Sequence, residues 1–97
     1  MKVNIPHQHT KEEATNRIKS LLQNLQEKFA GKISNVKENW NDNKADFSFS
    51  MGPFSTNGII LVNPSDVEIN LDIPFIASMY AKQIRSLIED NAKQVLA

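Results

Sequence analysis

His7-x-His9 sets the two histidines of the sequence two residues apart. Residues two apart on an extended segment project to the same side, so these imidazoles are half of a metal shell that Glu12 or Glu13 would have to complete. A third ligand at defined spacing is missing, and the same residues read equally as a solvated strand-to-helix connection. Asp46, Glu68 and Asp72 offer carboxylates for acid–base work, which requires environments that push two such groups apart. Each falls on the polar side of an alternating segment, which describes a solvated sheet face. Glu38 shares one side of its segment with Val36 and Trp40. Turned inward it would be a perturbed carboxylate of catalytic interest; at an exposed sheet edge it is an ordinary surface residue.

The chain has no cysteine, so thiolate nucleophiles, disulfides and cysteine zinc sites are excluded. No nucleophile elbow, phosphate-cradling loop or dinucleotide fingerprint occurs; Gly31, Gly52 and Gly58 are each accounted for by a turn, a bulge or a close approach. The expectation is a protein that is not an enzyme and holds no cofactor and no metal. Eleven basic residues against eleven acidic ones remove the positive field that nucleic-acid binders use, so no nucleic-acid partner is expected. The longest aliphatic run, Ile59 to Val62, is far too short to span a bilayer, and the first residues lack the apolar core of a secretory signal. The reading is cytoplasmic.

These side chains are positioned by elements that the pattern announces. With 97 residues, the chain supports one domain, residues 1–97, around one modest core. Val3 and Ile5 alternate before Pro6, as in a short edge strand. Thr10-Lys11-Glu12-Glu13 has the form of a capping box, and Ala14, Ile18, Leu21, Leu22, Leu25 and Phe29 then follow on one helical stripe. The spacing predicts one helix from Lys11 to Ala30, ended by Gly31. From Lys32 the period becomes two. Strands are expected around Val36–Trp40, over Ala45–Met51, over Phe54–Val62 and over Val67–Ile73, separated by Asn41-Asp42-Asn43, Gly52-Pro53 and Asn63-Pro64-Ser65-Asp66. Pro74 suits a first helical turn, and Ala77, Tyr80, Ile84, Leu87, Ile88 and Val95 form a second apolar stripe. The result is an α+β fold of order β-α-β-β-β-β-α. Five antiparallel strands carry two helices on one face, the last four strands form a meander, and the first strand lies beside the fifth.

Two apolar features exceed the needs of that core. Phe75 and Met79, four residues apart, face away from the stripe of the last helix; Ile59 and Leu61 point opposite to Ile60 and Val62, onto the sheet face without helices. Isolated surface hydrophobes are ordinary. The other readings are a homodimer contact through the open sheet, a hydrophobic ligand held between helix and sheet, and docking to an apolar particle surface. Trp40 joins these candidates as a contact residue, and a pocket bounded by Trp40, Phe47, Phe49 and Tyr80 is the form a ligand site would take.

Ile5-x-His7 before the capped helix, Glu13-Ala14 opening it, Trp40, the alternation around Asp46 and Phe47, Asn57-Gly58-x-Ile60, and Leu71-x-Ile73-Pro74-Phe75 follow in an order that resembles the polyhydroxyalkanoic acid system protein family. The likeness covers almost the whole chain. It implies an accessory protein of a storage-polyester system, with a granule surface or granule protein as partner, a granule-associated location and no assigned catalytic residues. At the matching positions Trp40, Gly58 and Pro74 read structurally as core anchor, bulge and helix start. The neutral charge balance argues against attachment to granules through positive charge. The element order is also similar to helix-grip and TATA-box-binding-protein-like folds, an analogy of fold alone.

Overall fold

A computed structural model describes residues 1–29, 31–73 and 79–97. The described elements are β1 (Lys2–Pro6), α1 (Lys11–Ile18), α2 (Leu21–Lys28), β2 (Ile33–Asn41), β3 (Lys44–Met51), β4 (Phe54–Val62), β5 (Asp66–Asp72) and α3 (Ala81–Val95). All strand pairs are antiparallel, in the order β1-β5-β4-β3-β2. The meander and the placement of β1 beside β5 agree with the pattern of the sequence. So does the α+β class, with the helices on one face of the open sheet.

The predicted first helix is broken. Lys19 and Ser20 form a turn between α1 and α2. Ser20 donates from its Oγ (2.7 Å) and its N–H (3.2 Å) to the same Arg17 carbonyl, a tighter local bond that competes with the helical ladder. The apolar stripe survives the break: Ala14, Ile18, Leu21, Leu22 and Leu25 are all buried. At the helix start, Thr10 Oγ1 accepts the Glu13 N–H at 3.1 Å, but the Glu13 carboxylate accepts Arg17 Nε at 3.0 Å. The expected reciprocal box is therefore carried by its threonine half.

Both tight hairpins use two-residue loops, Asp42-Asn43 and Gly52-Pro53. Their first central residues have φ of 56° and 58°, the requirement of a type II′ connection, which glycine meets without strain and aspartate tolerates. The bulge expected at Gly58 lies in β2 instead. Ser34 pairs with Ser50 and Lys37 with Ser48, so β2 carries one extra residue; Asn35, at φ 53°, absorbs it. This shift explains why Ile33 and Val36, three apart, both turn to the helix side. Gly58 serves a close approach: it stands opposite Phe47, and a Cβ there would lie 2.7 Å from Phe47 Cζ and against the Asn70 carbonyl oxygen.

Val3, Ile5, Ala45, Phe47, Phe49, Ile60, Val62, Val67, Ile69 and Leu71 supply the sheet side of the core. Ile84, Ile88, Ala92 and Leu96 close it from α3, which packs on β1 and α2. Each fully buried Leu or Ile contributes about 1.5–3 kcal/mol relative to exposure. Asn91 interrupts this apolar stripe: it is buried, its Nδ2 donates to the Leu87 carbonyl at 2.7 Å, and its Oδ1 accepts Lys28 Nζ at 3.1 Å. Tyr80 departs from the expected stripe, being 40% exposed with its ring 5.5 Å from that of Phe54. Ala30, the helix start at Pro74, Phe75 and Ala77 lie outside the described residues.

Candidate functional site

The N-terminal connector places the two histidines differently from a metal half-shell. His7 is buried and His9 half-buried, with their rings stacked at a centroid distance of 6.1 Å. Each Nε2 lies 2.8 Å from a main-chain carbonyl, that of Asn63 for His7 and that of Leu96 for His9. Among the described residues no group of three His, Asp or Glu side chains is arranged to hold a metal ion.

The carboxylates of the open face are spread along the sheet. Asp46 and Asp72 are exposed. Glu68 receives the Lys2 ammonium at 2.8 Å and Asn63 Nδ2 at 3.1 Å. The hydrogen bond from Lys2, then that from Asn63, hold the Glu68 carboxyl below the ordinary glutamate range; the Glu68 bond raises Lys2 in turn. On α3, the hydrogen bond from Lys93 does most to lower Glu89. These are ordinary surface pairs. Glu38 is exposed although its register puts it on the helix side opposite Phe47; β2 is an edge strand of the sheet. Its carboxylate accepts Trp40 Nε1 at 2.7 Å, and Lys19 Nζ stands 5.6 Å from the center of the Trp40 ring. Trp40 is thus a half-buried flank residue, held by a cation–π contact and packed against the edge of the core.

Phe75 lies outside the described residues, and the four other sequence candidates do not converge. Ile59, 38% exposed, lies between Asp46 and Asn70 on the open face, and half-buried Leu61 between Lys44 and Glu68. Trp40 is on the opposite face beside Ala45. Met79, 79% exposed, is at the far end of the molecule next to Tyr80, whose ring meets Phe54 at the β3–β4 turn. Along β3, Ala45 and Met51 are about 20 Å apart, so Trp40 and Tyr80 do not bound one pocket. Phe47 and Phe49 are buried and stacked at 6.3 Å within the core.

What the geometry does assemble is an apolar end. Phe29, Met79, Tyr80 and Leu87 form the apolar part of a groove between α2 and α3 whose remaining lining, Lys82, Gln83, Ser86, Asp90 and Asn91, is polar; Met51, Pro53, Phe54 and Tyr80, with Gly31 and Lys32, line a second of about 300 Å³. Tyr80 belongs to both. The sequence reading missed Met51, Phe54 and Phe29 as surface residues, because each continues an apolar alternation or stripe that reads as core. Phe54 directly after Gly52-Pro53 was the available signal, since a large ring beside a tight turn stands at the rim of a sheet.

A small α+β protein with an open antiparallel sheet, a broken helix and an apolar end is the class these features define. Residues 1–96 match the profile described as "Putative polyhydroxyalkanoic acid system protein", and the chain belongs to that family. The description names a storage-polyester system and no reaction. Among the described residues no helix is long and apolar enough to cross a membrane. Comparison with curated proteins and with solved structures returned no match.

Proposed function

We propose that this protein is a non-enzymatic accessory of the polyhydroxyalkanoate storage system, acting in the cytoplasm on a granule surface or a granule protein through its apolar end. Met79 carries the reading: a large apolar side chain 79% exposed beside Phe29, Tyr80 and Leu87, the apolar part of a groove that Lys82, Gln83, Ser86, Asp90 and Asn91 complete with a polar rim. Phe75, four residues earlier in the sequence, is assigned to the same contact by spacing. Ile59 and Leu61 form a separate, smaller candidate, suited to a second copy of the chain across the open sheet, and Trp40 a third on the β2 flank. The overall charge balance makes the attachment salt-resistant.

Purified protein is titrated against isolated polyester granules at low and high salt. Replacing Phe75 and Met79 by serine lowers binding by roughly ten- to a hundredfold, the worth of about one fully buried apolar side chain shared between two partly buried ones. A folded double variant that binds as wild type does refutes the surface. The second groove, with its Phe54–Tyr80 floor, supports a different reading, a small carrier of hydrophobic ligands. Uptake of a fluorescent acyl probe without granule binding, abolished by Phe54→Ser, is the result that would favor it.

A further inference from the structure

On the face of the sheet away from the helices, the strand register sets the side chains in rows that cross the strands. Lys44, Leu61 and Glu68 form one row over β3, β4 and β5; Asp46, Ile59 and Asn70 form the next, and Ser48, Asn57 and Asp72 the third. β4 is the midline, with the aliphatic Ile59 and Leu61 on it. The cations Lys37 and Lys44 stand on the β2–β3 side of that line, and the carboxylates of Glu68 and Asp72 on the β5 side. Among the described residues Lys37, Lys44, Asp46 and Asp72 enter no ion pair, whereas Glu68 holds Lys2. A trough runs between the second and third rows, bounded by Asp46, Asn57, Ile59, Asn70 and Asp72 over the backbone of Phe47, Gly58 and Leu71.

This face is complementary to itself under one rotation. A twofold axis laid along β4, between two copies set face to face, brings the β3 side of one over the β5 side of the other and keeps each row in step. Lys44 then meets Glu68 of the second copy, Asp46 meets its Asn70, and Ser48 meets its Asp72. Each of these contacts joins a donor to an acceptor. Ile59, Leu61 and Asn57 meet their own counterparts on the axis. Strands of the two copies are aligned, the arrangement in which sheets commonly stack about 10 Å apart. An axis across the strands, between the rows of Ile59 and Leu61, instead sets Asp72 against Asp66 of the second copy, a like-charge contact that disfavors it. Five strands about 4.8 Å apart, each of about eight residues at 3.4 Å, span roughly 24 by 27 Å. Two copies therefore cover about 1,300 Å² together, near the lower bound of a specific interface.

We propose that the open sheet face forms a twofold homodimer, with Ile59 and Leu61 at its center and reciprocal Lys44–Glu68 pairs on either side. The proposal rests on the reading of Ile59 and Leu61 as a contact for a second copy and is independent of the contact assigned to Met79.

Sedimentation equilibrium of the purified chain up to about 200 μM is the test, with a dimer constant in the micromolar range expected for an interface of this size. Ile59→Lys changes an exposed residue and sets two cations together on the axis. It abolishes the dimer, and the dilute variant unfolds in urea as the dilute wild type does. Lys44→Glu faces Glu68 of the second copy at two symmetric places and weakens the dimer about tenfold; in a Glu68→Gln background the same substitution weakens it about threefold or less. A wild-type chain that stays monomeric at about 200 μM overturns the proposal together with the reading of Ile59 and Leu61 beneath it, as does a dimer that survives Ile59→Lys. A dimer that Ile59→Lys abolishes, but in which Lys44→Glu has the same effect with or without Glu68, overturns the aligned pairing and leaves that reading standing.

Discussion

Replacing Gly58 by alanine adds one methyl group to a strand, a change that in an open strand position would raise stability by about 0.5–1 kcal/mol through the lost flexibility of glycine. Here the sign reverses. The new carbon would stand 2.7 and 2.9 Å from Cζ and Cε1 of Phe47 and press on the carbonyl oxygen of Asn70. A ring can tilt, but the carbonyl belongs to the β4–β5 ladder, and relief there means prising two central strands apart. Overpacking of this kind costs about 1–3 kcal/mol, and a backbone obstacle puts it at the upper end. The net loss is about 2 kcal/mol, or a fall in Tm of about 8–16 °C for a chain of this size. Urea unfolding followed by the fluorescence of Trp40, the only tryptophan, measures it. In a Phe47→Leu background, which removes the two ring atoms but leaves the carbonyl, Gly58→Ala costs at least about 0.5 kcal/mol less than in wild type. A Gly58→Ala protein as stable as wild type, or more so, would refute the close-approach account; absence of coupling to Phe47 would assign the whole effect to Asn70.

Thr10→Ala removes the acceptor of the Glu13 N–H and lowers stability by about 1 kcal/mol in the same urea assay, with no compensation from Glu13, whose carboxylate is held by Arg17. Lys28→Met strips the donor from the buried Asn91 Oδ1 and costs about 1–2 kcal/mol, whereas Lys28→Met combined with Asn91→Leu recovers most of it. Glu68, whose folded carboxyl titrates below the ordinary range because Lys2 and Asn63 bond its charged form, contributes stability that is present above the unfolded glutamate range and lost as pH falls through the folded value. Carbon-detected titration of Glu68 in Lys2→Met shows its midpoint moving up toward the ordinary range; an unmoved midpoint would show that Asn63 alone sets it.

The strands were legible because period two is hard to imitate: Phe54–Val62 is observed at its expected limits, and β3 and β5 are displaced by a single residue. The register of β2 was not legible, since the extra residue at Asn35 depends on a positive φ that the sequence pattern of Ser34-Asn35-Val36 does not announce. The helix break was hidden for a related reason. Ser20 sits on the polar side of an unbroken apolar stripe, and periodicity does not record the bond of its hydroxyl to Arg17. Asn91 was passed over because polar residues are read as surface, although Lys28, 63 positions earlier, satisfies it inside the α2–α3 contact. The candidate contacts came from counting apolar side chains beyond the core. That rule put Ile59 and Met79 on the surface, where both are exposed, yet it does not distinguish a rim residue such as Phe54 from a core residue in the same alternation.

The position of β1 also sets a timetable. The hairpins β2–β3, β3–β4 and β4–β5 close over loops of a few residues, whereas β1 reaches its partner across the length of the meander, Val3 meeting Ile69. Local closures come early and distant ones late, so the meander assembles as a nearly finished sheet whose β5 edge is still open, and β1, first of the strands in chain order, is the last to dock. In pulse-labeled refolding the amides of β4 gain protection before those of β1. A newly made chain accordingly passes through a stage in which Val67 and Ile69 lack their cover, and that interval, more than the finished surface, is when it is most open to association with its neighbors.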